Sequence, residues 1–331
     1  MPTASSEHPN REAPDSRQSV RLATFDQYRG LLFSIAYRML GSVADAEDML
    51  QETFIRWQQT PGEDIRSARA FLVTIISRLC INHLQSARVQ REEYFGQWLP
   101  EPLVAAQGSN PMGLIRVDET LSMAFLVLLE RLTPIERAVF LLREVFEYDY
   151  PEIAEILDQS ATNCRQILHR ARQHMAQMRP RFQAPAKKQN ELLDEFLRAV
   201  GSGDLDGLIG LLAKDVVLHT DGGGKGRAVP NLIHGPSNVA RAIVLGREKF
   251  PAKGNVETRI ASVNGAPGVV SDLNGKPSFV LAMDTNEEHI HAIYFITNPD
   301  KLSRITNLLL DKNREGMPVH TGSGVTCSTP R

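Results

Sequence analysis

The chain has 331 residues, 42% apolar and 23% charged, with a formal net charge of −2; that is ordinary for a folded protein and long enough for two or three domains with their own cores. Its three cysteines, Cys80, Cys164 and Cys327, have no metal-ligand spacing and make no disulfide framework. The opening MPTASSEHPNREAPDSRQ has no apolar core, and no apolar run reaches a membrane span, so a reducing, cytoplasmic setting without a membrane anchor is expected.

Residues 1–20 are expected to be disordered. Apolar residues at helical spacing from Phe25 to Leu40 predict a helix that stops at Gly41. A second helix opens at Ser42, with Asp45 in its first turn as reciprocal cap partner, and runs to about Gln59 before the Pro61-Gly62 break. A third, from about Ser67 to Ala87, carries Phe71, Leu72, Ile75, Ile76 and Leu79 on one side. The stretch from Glu92 to Asn110 reads as a linker whose Trp98 and Leu99 should pack on something. Helices resume near Met112, and AFLVLLERL ends at Thr133-Pro134, where Glu136 completes a capping box. TPIERAVFLLREVF reads as one helix. YPEIAEILDQ reads as a short helix, and Ser160 caps ATNCRQILHRARQHMAQMR.

Beyond Pro185 the pattern changes. Two helices broken by GSGD precede the strand candidates VVLHT, VETRIASVNG, PGVVSD, SFVLAMD and HIHAIYFIT, with turns at NG and GK. One helix around Ser237–Leu245 interrupts them. The expectation is an α+β domain on a curved antiparallel sheet, followed by a flexible tail.

Charge is unevenly spread along the chain. Arg66 to Arg91 holds five arginines and no acid, and Ala161 to Lys188 holds seven Lys/Arg and no acid. Ala44 to Asp64 holds six acids against Arg56. Such a layout suits two partners, one of them polyanionic, although charge alone is equally compatible with solvated helix faces. The strongest local signal is Tyr150 to Arg172. Ile153, Ala154, Ile156 and Leu157 make the apolar face of a first helix, and Cys164, Ile167, Leu168 and Ala171 that of a second. This is the pattern of a helix-turn-helix, whose second helix enters the major groove. Its outward face presents Asn163, Arg165, Gln166, His169, Arg170 and Arg172, which suit base edges and phosphates. His169 and His174 have no ligand partner at useful spacing, and Cys164 reads as core.

These segments carry a resemblance. LTPIERAVFLLREVF with YPEIAEILDQSATNCRQILHRAR resembles region 4 of the bacterial extracytoplasmic-function sigma factors. AYRMLGSVADAEDMLQETFIRW resembles their region 2. WLPEPL (98–103), DGGGK (221–225) and NPDKL (298–302) are similar to a subgroup with a fused C-terminal SnoaL-like domain. The resemblance implies a multidomain chain: two all-α sigma domains plus an α+β SnoaL-like cone with a curved antiparallel sheet. Its divisions are a disordered 1–20, region 2 at 21–92, a linker at 93–111, region 4 at 112–183, the SnoaL-like domain at 189–312 and a tail at 313–331.

By position, the resemblance implies three roles. Asp45, Glu47, Asp48, Gln51 and Glu52 would meet the clamp of core RNA polymerase, with region 4 on its flap. The loop Pro61–Ser67 and Arg69, Arg78, Asn82 and His83 would open and read −10 DNA, where bases leave the stack. Arg165, Gln166, His169, Arg170 and Arg172 would read −35 DNA. Asp221, Gly222, Gly223, Gly224, Lys225, Asn298, Pro299, Asp300, Lys301 and Leu302 would mediate regulatory contacts between domains. The implied factor is a monomer when free, needs no cofactor or metal, and is regulated in cis rather than being an enzyme.

Two alternatives stay open. One is a ligand-regulated DNA-binding regulator that acts without polymerase. The other is residual chemistry in the third domain, with Asp215, His219, Asp221 and His234 near a pocket and His289 and His291 lining it; fold analogy is weak support for chemistry. DGGGKGR (221–227) itself invites comparison with a phosphate loop. A P-loop needs G-x-x-x-x-G-K-[ST] opening into a helix, whereas here Gly226 follows the lysine and Pro230 follows soon after. The glycines suit positive dihedrals or close approach in a turn. Lys225 and Arg227 would then project toward a neighbouring domain, with the linker around Glu101 as the best target.

Overall fold

Side-chain caps start the helices where the sequence places them. Ser42 Oγ accepts from the Asp45 N–H at 3.2 Å, Thr133 and Asp149 form complete capping boxes with Glu136 and Glu152, and Ser160 Oγ accepts from the Asn163 N–H at 3.1 Å. In the computed structural model of the chain the described residues are 14–61, 65–92, 94, 96–105, 121–176, 184–249 and 254–305. The expectations for residues 1–13, the loop centre 62–64, the linker from 106 with the helix near Met112, Cys327 and the tail lie outside them.

Helices α1 (Pro14–Leu40), α2 (Val43–Gln59) and α3 (Ala68–Glu92) form the first unit. The start at Pro14 corrects the expectation of disorder through residue 20. Arg21 is tied to the end of α2, donating to the carbonyls of Trp57 at 2.6 Å and Thr60 at 2.5 Å, while Trp57 Nε1 donates back to Arg21 O at 3.0 Å. A helix anchored there extends upstream through residues of adequate helix propensity, although they have no apolar pattern. At the other end Gly41 turns with φ +66°, and a Cβ on it would lie 2.6 Å from the Trp98 ring.

The second unit comprises α4 (Met123–Leu129), α5 (Pro134–Phe140), α6 (Tyr150–Leu157) and α7 (Ala161–Ala176). TPIERAVFLLREVF is not one regular α-helix, because α5 gives way to a π-helical turn at Leu141–Val145. There the Phe146 N–H reaches back to Leu141 O at 3.0 Å, the wider closure of a π turn. Asp158 ends α6 with φ 54°, which makes the tight turn into α7.

The two helical units share one buried apolar cluster. It runs from Phe25, Leu32 and Trp57 through Ile76 and Leu84 to Leu129, Ile153, Ile167 and Met175. A polar tie crosses the same boundary, with Arg137 Nη1 donating to Met39 O at 2.5 Å, while within its own unit Arg137 pairs with Glu130 at 2.8 Å.

The third unit holds α8 (Ala186–Ser202), α9 (Leu205–Leu211), α10 (Pro236–Lys249) and α11 (Pro299–Leu302). Its strands are β2 (Leu212–Asp221), β3 (Ile233–His234), β4 (Val256–Val263), β5 (Ala266–Leu273), β6 (Lys276–Thr285) and β7 (Ile290–Ile296); β1 (Val104–Ala105) comes from the linker. The order is β1-β4-β5-β6-β7-β2-β3. The expected cone with a purely antiparallel curved sheet is corrected here. The sheet is mixed and open, since β2 pairs parallel with β7 and β1 and β3 are left as edges. Local turns at Asn264-Gly265 and Asn274-Gly275 make the β4–β5–β6 part of the meander antiparallel. β2 reaches β7 only through a long crossover containing α10, which permits a parallel pair and leaves no hairpin signal.

Alternation sends the residues of this sheet to two faces. Val269, Leu281, Met283 and Ile293 pack with Leu193, Phe196, Val239 and Val244 of α8 and α10. Val270, Val280, Ala282, Ala292 and Tyr294 face the opposite way and bury Leu99, Val104 and Met123. The second face is therefore occupied by the linker and by α4.

Candidate functional site

Four surfaces hold the candidate residues, and they are interlocked. On α2 the acidic row lies on one face, with Asp48 and Gln51 exposed and Asp45, Glu47 and Glu52 half-buried. Glu52 pairs with Arg56 at 2.7 Å and Asp45 lies 3.6 Å from His83. Beside this row is a groove of about 570 Å³ between α1 and α2, whose lining includes Phe25, Phe33, Leu50 and Phe54 together with Glu47 and Gln51. Glu47 also forms an ion pair with Arg304, just after α11 of the third unit.

On α3, Arg69 and Arg78 turn toward the second helical unit. Arg69 Nε donates to Tyr148 Oη at 3.1 Å and its guanidinium lies 5.0 Å from that ring's centre. Arg78 donates to the carbonyls of Ile156 at 2.9 Å and Glu155 at 3.2 Å. Asn82 remains exposed.

On α7, Cys164, Ile167, Leu168, Ala171 and Met175 are buried, and Arg165, Gln166, His169, Arg170 and Arg172 are exposed in a continuous row. Arg172 pairs with Glu144 at 2.7 Å, and His169 lies 3.2 Å from Gln173. Arg165 stacks 4.9 Å from the centre of the Tyr150 ring, which Arg143 also approaches at 5.1 Å.

The densest polar cluster joins the third unit to the linker. Asp221 is fully buried and accepts from Tyr94 Oη at 2.5 Å, the Leu99 N–H at 2.8 Å, the Gly223 N–H at 3.0 Å and Lys301 Nζ at 2.6 Å. The Lys301 ammonium also donates to Leu99 O and lies 4.2 Å from the centre of the Trp98 ring. Asn298, itself buried, donates to Tyr94 Oη at 2.8 Å and caps the short α11. Burial and the bond to Asp221 push the Tyr94 phenol up. Gly223 sits at φ +58° with Asn298 against it, so the glycine run serves backbone turning and close approach. Gly222 is buried and Gly224 takes φ +71°.

Lys225 does not reach the linker, contrary to expectation. It pairs with Asp300 at 2.7 Å across the surface of its own unit, and Pro299 is exposed beside it. The physical reason is position. Lys301 projects from α11 into the buried site beside Asp221, whereas Lys225 sits at the tip of the turn. Leu302 is buried.

Three participants have roles the sequence did not suggest, Glu101 having been considered only as a target for Lys225 and Arg227. Glu101 caps α2 from within the linker, accepting from the Val43 N–H at 2.8 Å and the Ala44 N–H at 3.3 Å. Burial raises the pKa of its carboxyl, against the pull of those donors. Asn264, in a turn between strands, bonds Leu103 at both its N–H and C=O, and donates to Tyr37 Oη at 2.8 Å and Leu121 O at 3.1 Å. Tyr37 Oη in turn donates to Glu101 O at 2.8 Å. An Asn-Gly dipeptide signals a turn, and nothing local marks its side chain as a node between units.

The residues considered for catalysis are dispersed. Asp215 lies 3.4 Å from His291, His234 is exposed, and His289 lies 3.9 Å from Glu288. Asp221 is held as described. His219 stacks on Tyr294 at 5.0 Å, on the sheet face that the linker and α4 cover. Burial pushes its imidazole from 6.5 down to about 4, with repulsion from His234 and Arg131 adding to the effect. The unfolded chain therefore takes up this proton first as pH falls. Stability contributed by neutral His219 is complete above about pH 6.5 and is lost toward pH 4, on the order of 3 kcal/mol over the window. Between pH 7 and 4.5 the unfolding free energy of wild type should fall more steeply than that of His219→Gln, and parallel curves would refute this.

Among the described residues no helix is long and apolar enough to cross a membrane. Residues 24–89 match the family Sigma-70 region 2, and residues 122–175 match Sigma-70, region 4. The chain is 33% identical over 293 residues to ECF RNA polymerase sigma factor SigJ of Mycobacterium tuberculosis, covering 86% of this chain and 94% of that protein. It is 27% identical over 315 residues to SigG of the same species, covering 86% and 79%. The crystal structure of Mycobacterium tuberculosis SigJ superposes with a TM-score of 0.69 at 32% identity, covering 85% of this chain and 98% of that one.

Proposed function

Because the chain belongs to the extracytoplasmic-function sigma-70 family of RNA polymerase sigma factors, we propose that it directs core polymerase to promoters with distinct −10 and −35 elements, under control of its own C-terminal domain. The observation that carries this is the outward row on α7, Arg165, Gln166, His169, Arg170 and Arg172, set on a buried apolar face behind a tight turn. Exposed guanidinium and amide groups at that spacing suit a major groove and its flanking phosphates. The acidic row on α2 suits a basic surface of the polymerase clamp, and the second helical unit would sit on the flap. Arg69, Arg78, Asn82 and His83 on α3 would serve the −10 element.

Regulation in cis is supported by the cluster around Asp221. It ties the C-terminal domain to the linker that must separate the two helical units on a promoter, and tethering gives this contact a high effective concentration. We take the C-terminal domain as regulatory and not catalytic, since Asp221 is engaged in the contact with the linker and His219 stacks on Tyr294 within its own sheet.

Replacing Arg165 and Arg170 by alanine tests the α7 assignment. Loss of a base contact costs about 1–3 kcal/mol, so transcription from a −35-dependent promoter by reconstituted holoenzyme should fall roughly tenfold or more. Binding to core polymerase should be unchanged. Undiminished −35-dependent transcription would refute the assignment.

A further inference from the structure

We propose that the chain pairs with a second copy of itself along the outer edge of β4, strand to strand and antiparallel, about a two-fold axis at Thr258. Two observations carry this: an uncovered strand edge, and a sequence on that edge that complements itself when reversed.

β1 borders β4 only at Ser262 and Val263. Among the described residues no strand lies outside β4 from Val256 to Ala261, whereas at the opposite border of the sheet β3 is two residues long. The Asn264-Gly265 turn makes Val263 and Ala266 its hydrogen-bonded closing pair, so every second residue back along β4 bonds inward to β5. The N–H and C=O groups of Val256, Thr258 and Ile260 therefore point outward. They follow Asn264, whose N–H reaches Leu103 O at 2.8 Å on that same side. The segment VETRIA has no proline, lysine or bulge, the devices that commonly blunt an open edge.

The side chains of this edge are accessible as well. Val256 is 45% and Ile260 37% exposed, on the face where Thr258 Oγ1 meets Ser271 Oγ at 3.4 Å. Glu257 and Arg259 alternate to the other face. Arg259 is steadied by Asp272 at 2.5 Å yet keeps 40% of its side chain exposed, and Glu257 is exposed.

A second β4 laid antiparallel, with Thr258 opposite Thr258, sets Val256 against Ile260 and Glu257 against Arg259, twice each by symmetry. All of these are favourable cross-strand pairs. The backbone matches too, because Val256, Thr258 and Ile260 each meet another residue whose N–H and C=O point outward. Sliding the strands to the neighbouring registers that keep those bonds puts Glu257 opposite Glu257, or Arg259 opposite Arg259, where like charges repel. In the Thr258-centred register Val256 of the second strand lies opposite Ile260, clear of Ser262, where Ala105 of β1 is seated. Charge and register together select a second copy over an unrelated strand. Free chains would pair in this way, where the family resemblance implies a monomer.

Sedimentation of the full chain over a range of concentrations tests the pairing. The mass should rise from one chain toward two, and added salt should weaken the association. Thr258→Pro removes an outward N–H and leaves the ladder to β5 intact, so this variant should fold and stay a single chain. Glu257→Lys places like charges at both charged pairs and should raise the dissociation constant roughly tenfold. That exposed-site variant decides the matter if the proline variant does not fold. With Cys327→Ser in place, Thr258→Cys should oxidise to a covalent pair faster than Glu257→Cys, since position 258 faces itself and Cys80 and Cys164 are buried. A chain that stays single at every concentration overturns the proposal. So does a pair that survives Glu257→Lys undiminished, because another surface then holds it, and equal oxidation at 257 and 258 overturns the axis at Thr258.

Discussion

Lys301→Ala is expected to release the C-terminal domain from the linker, and its cost should be among the largest of any single substitution in the third unit. Asp221 is fully buried and Lys301 only 10% exposed, so removing the ammonium leaves a carboxylate without its counter-charge. Breaking a buried pair on one side costs about 3–5 kcal/mol. The same change removes the cation from the Trp98 ring and a bond to Leu99 O. Trp98 packs on Gly41, at the junction of α1 and α2, so the loss should reach the first helical unit. Denaturant unfolding should show the destabilisation, and scattering from the folded variant should show a larger radius. Asp221→Asn with Lys301→Met should recover much of the stability, because no buried charge is then left unpaired. If the double variant is as damaged as the single one, charge is not what holds this contact.

The second large effect is expected on α2. Asp48 is exposed and Glu52 is half-buried beside Arg56. Neither is part of a buried network, so lysine at both positions should leave the fold intact. If α2 meets a basic clamp surface as proposed, placing two like charges there costs several kcal/mol. Core polymerase should no longer co-purify with Asp48→Lys/Glu52→Lys, while the unfolding free energy changes by about 0.5 kcal/mol or less. A regulator that binds DNA without polymerase would not be affected in this way, so retained co-purification would remove the α2 assignment.

How much of this was legible in the sequence depends on the range of the interaction. Caps at Ser42, Thr133 and Ser160 are local chemistry, and the helices start where they stand. The apolar and polar faces of α7 follow from a 3.6-residue period. The −10 candidates were found on a helix, but not that Arg69 and Arg78 would be held by Tyr148 and the end of α6, roughly eighty residues away. Periodicity says which side of a helix is polar, and is silent about what meets it.

The same limit explains the sheet. Asn-Gly turns betray adjacent strands, whereas the parallel β2–β7 pair and the two-residue edge strand β1 are made by remote segments. DGGGK and NPDKL each offered a lysine, and only geometry decided between them. Lys301 enters the buried site of Asp221 while Lys225 remains 62% exposed against Asp300. The apparent phosphate loop is in fact an acidic anchor, in which Asp221 binds and the glycines make room.

The central claim is that this sigma factor is governed by the grip of its C-terminal domain on the linker. Its most direct test is promoter-specific transcription in a reconstituted reaction, comparing the wild-type chain with Lys301→Ala over a range of core polymerase concentrations. The account predicts that transcript yield per polymerase changes once the contact is broken, and that Asp221→Asn/Lys301→Met moves it back toward wild type. Identical yield curves for all three proteins would contradict it.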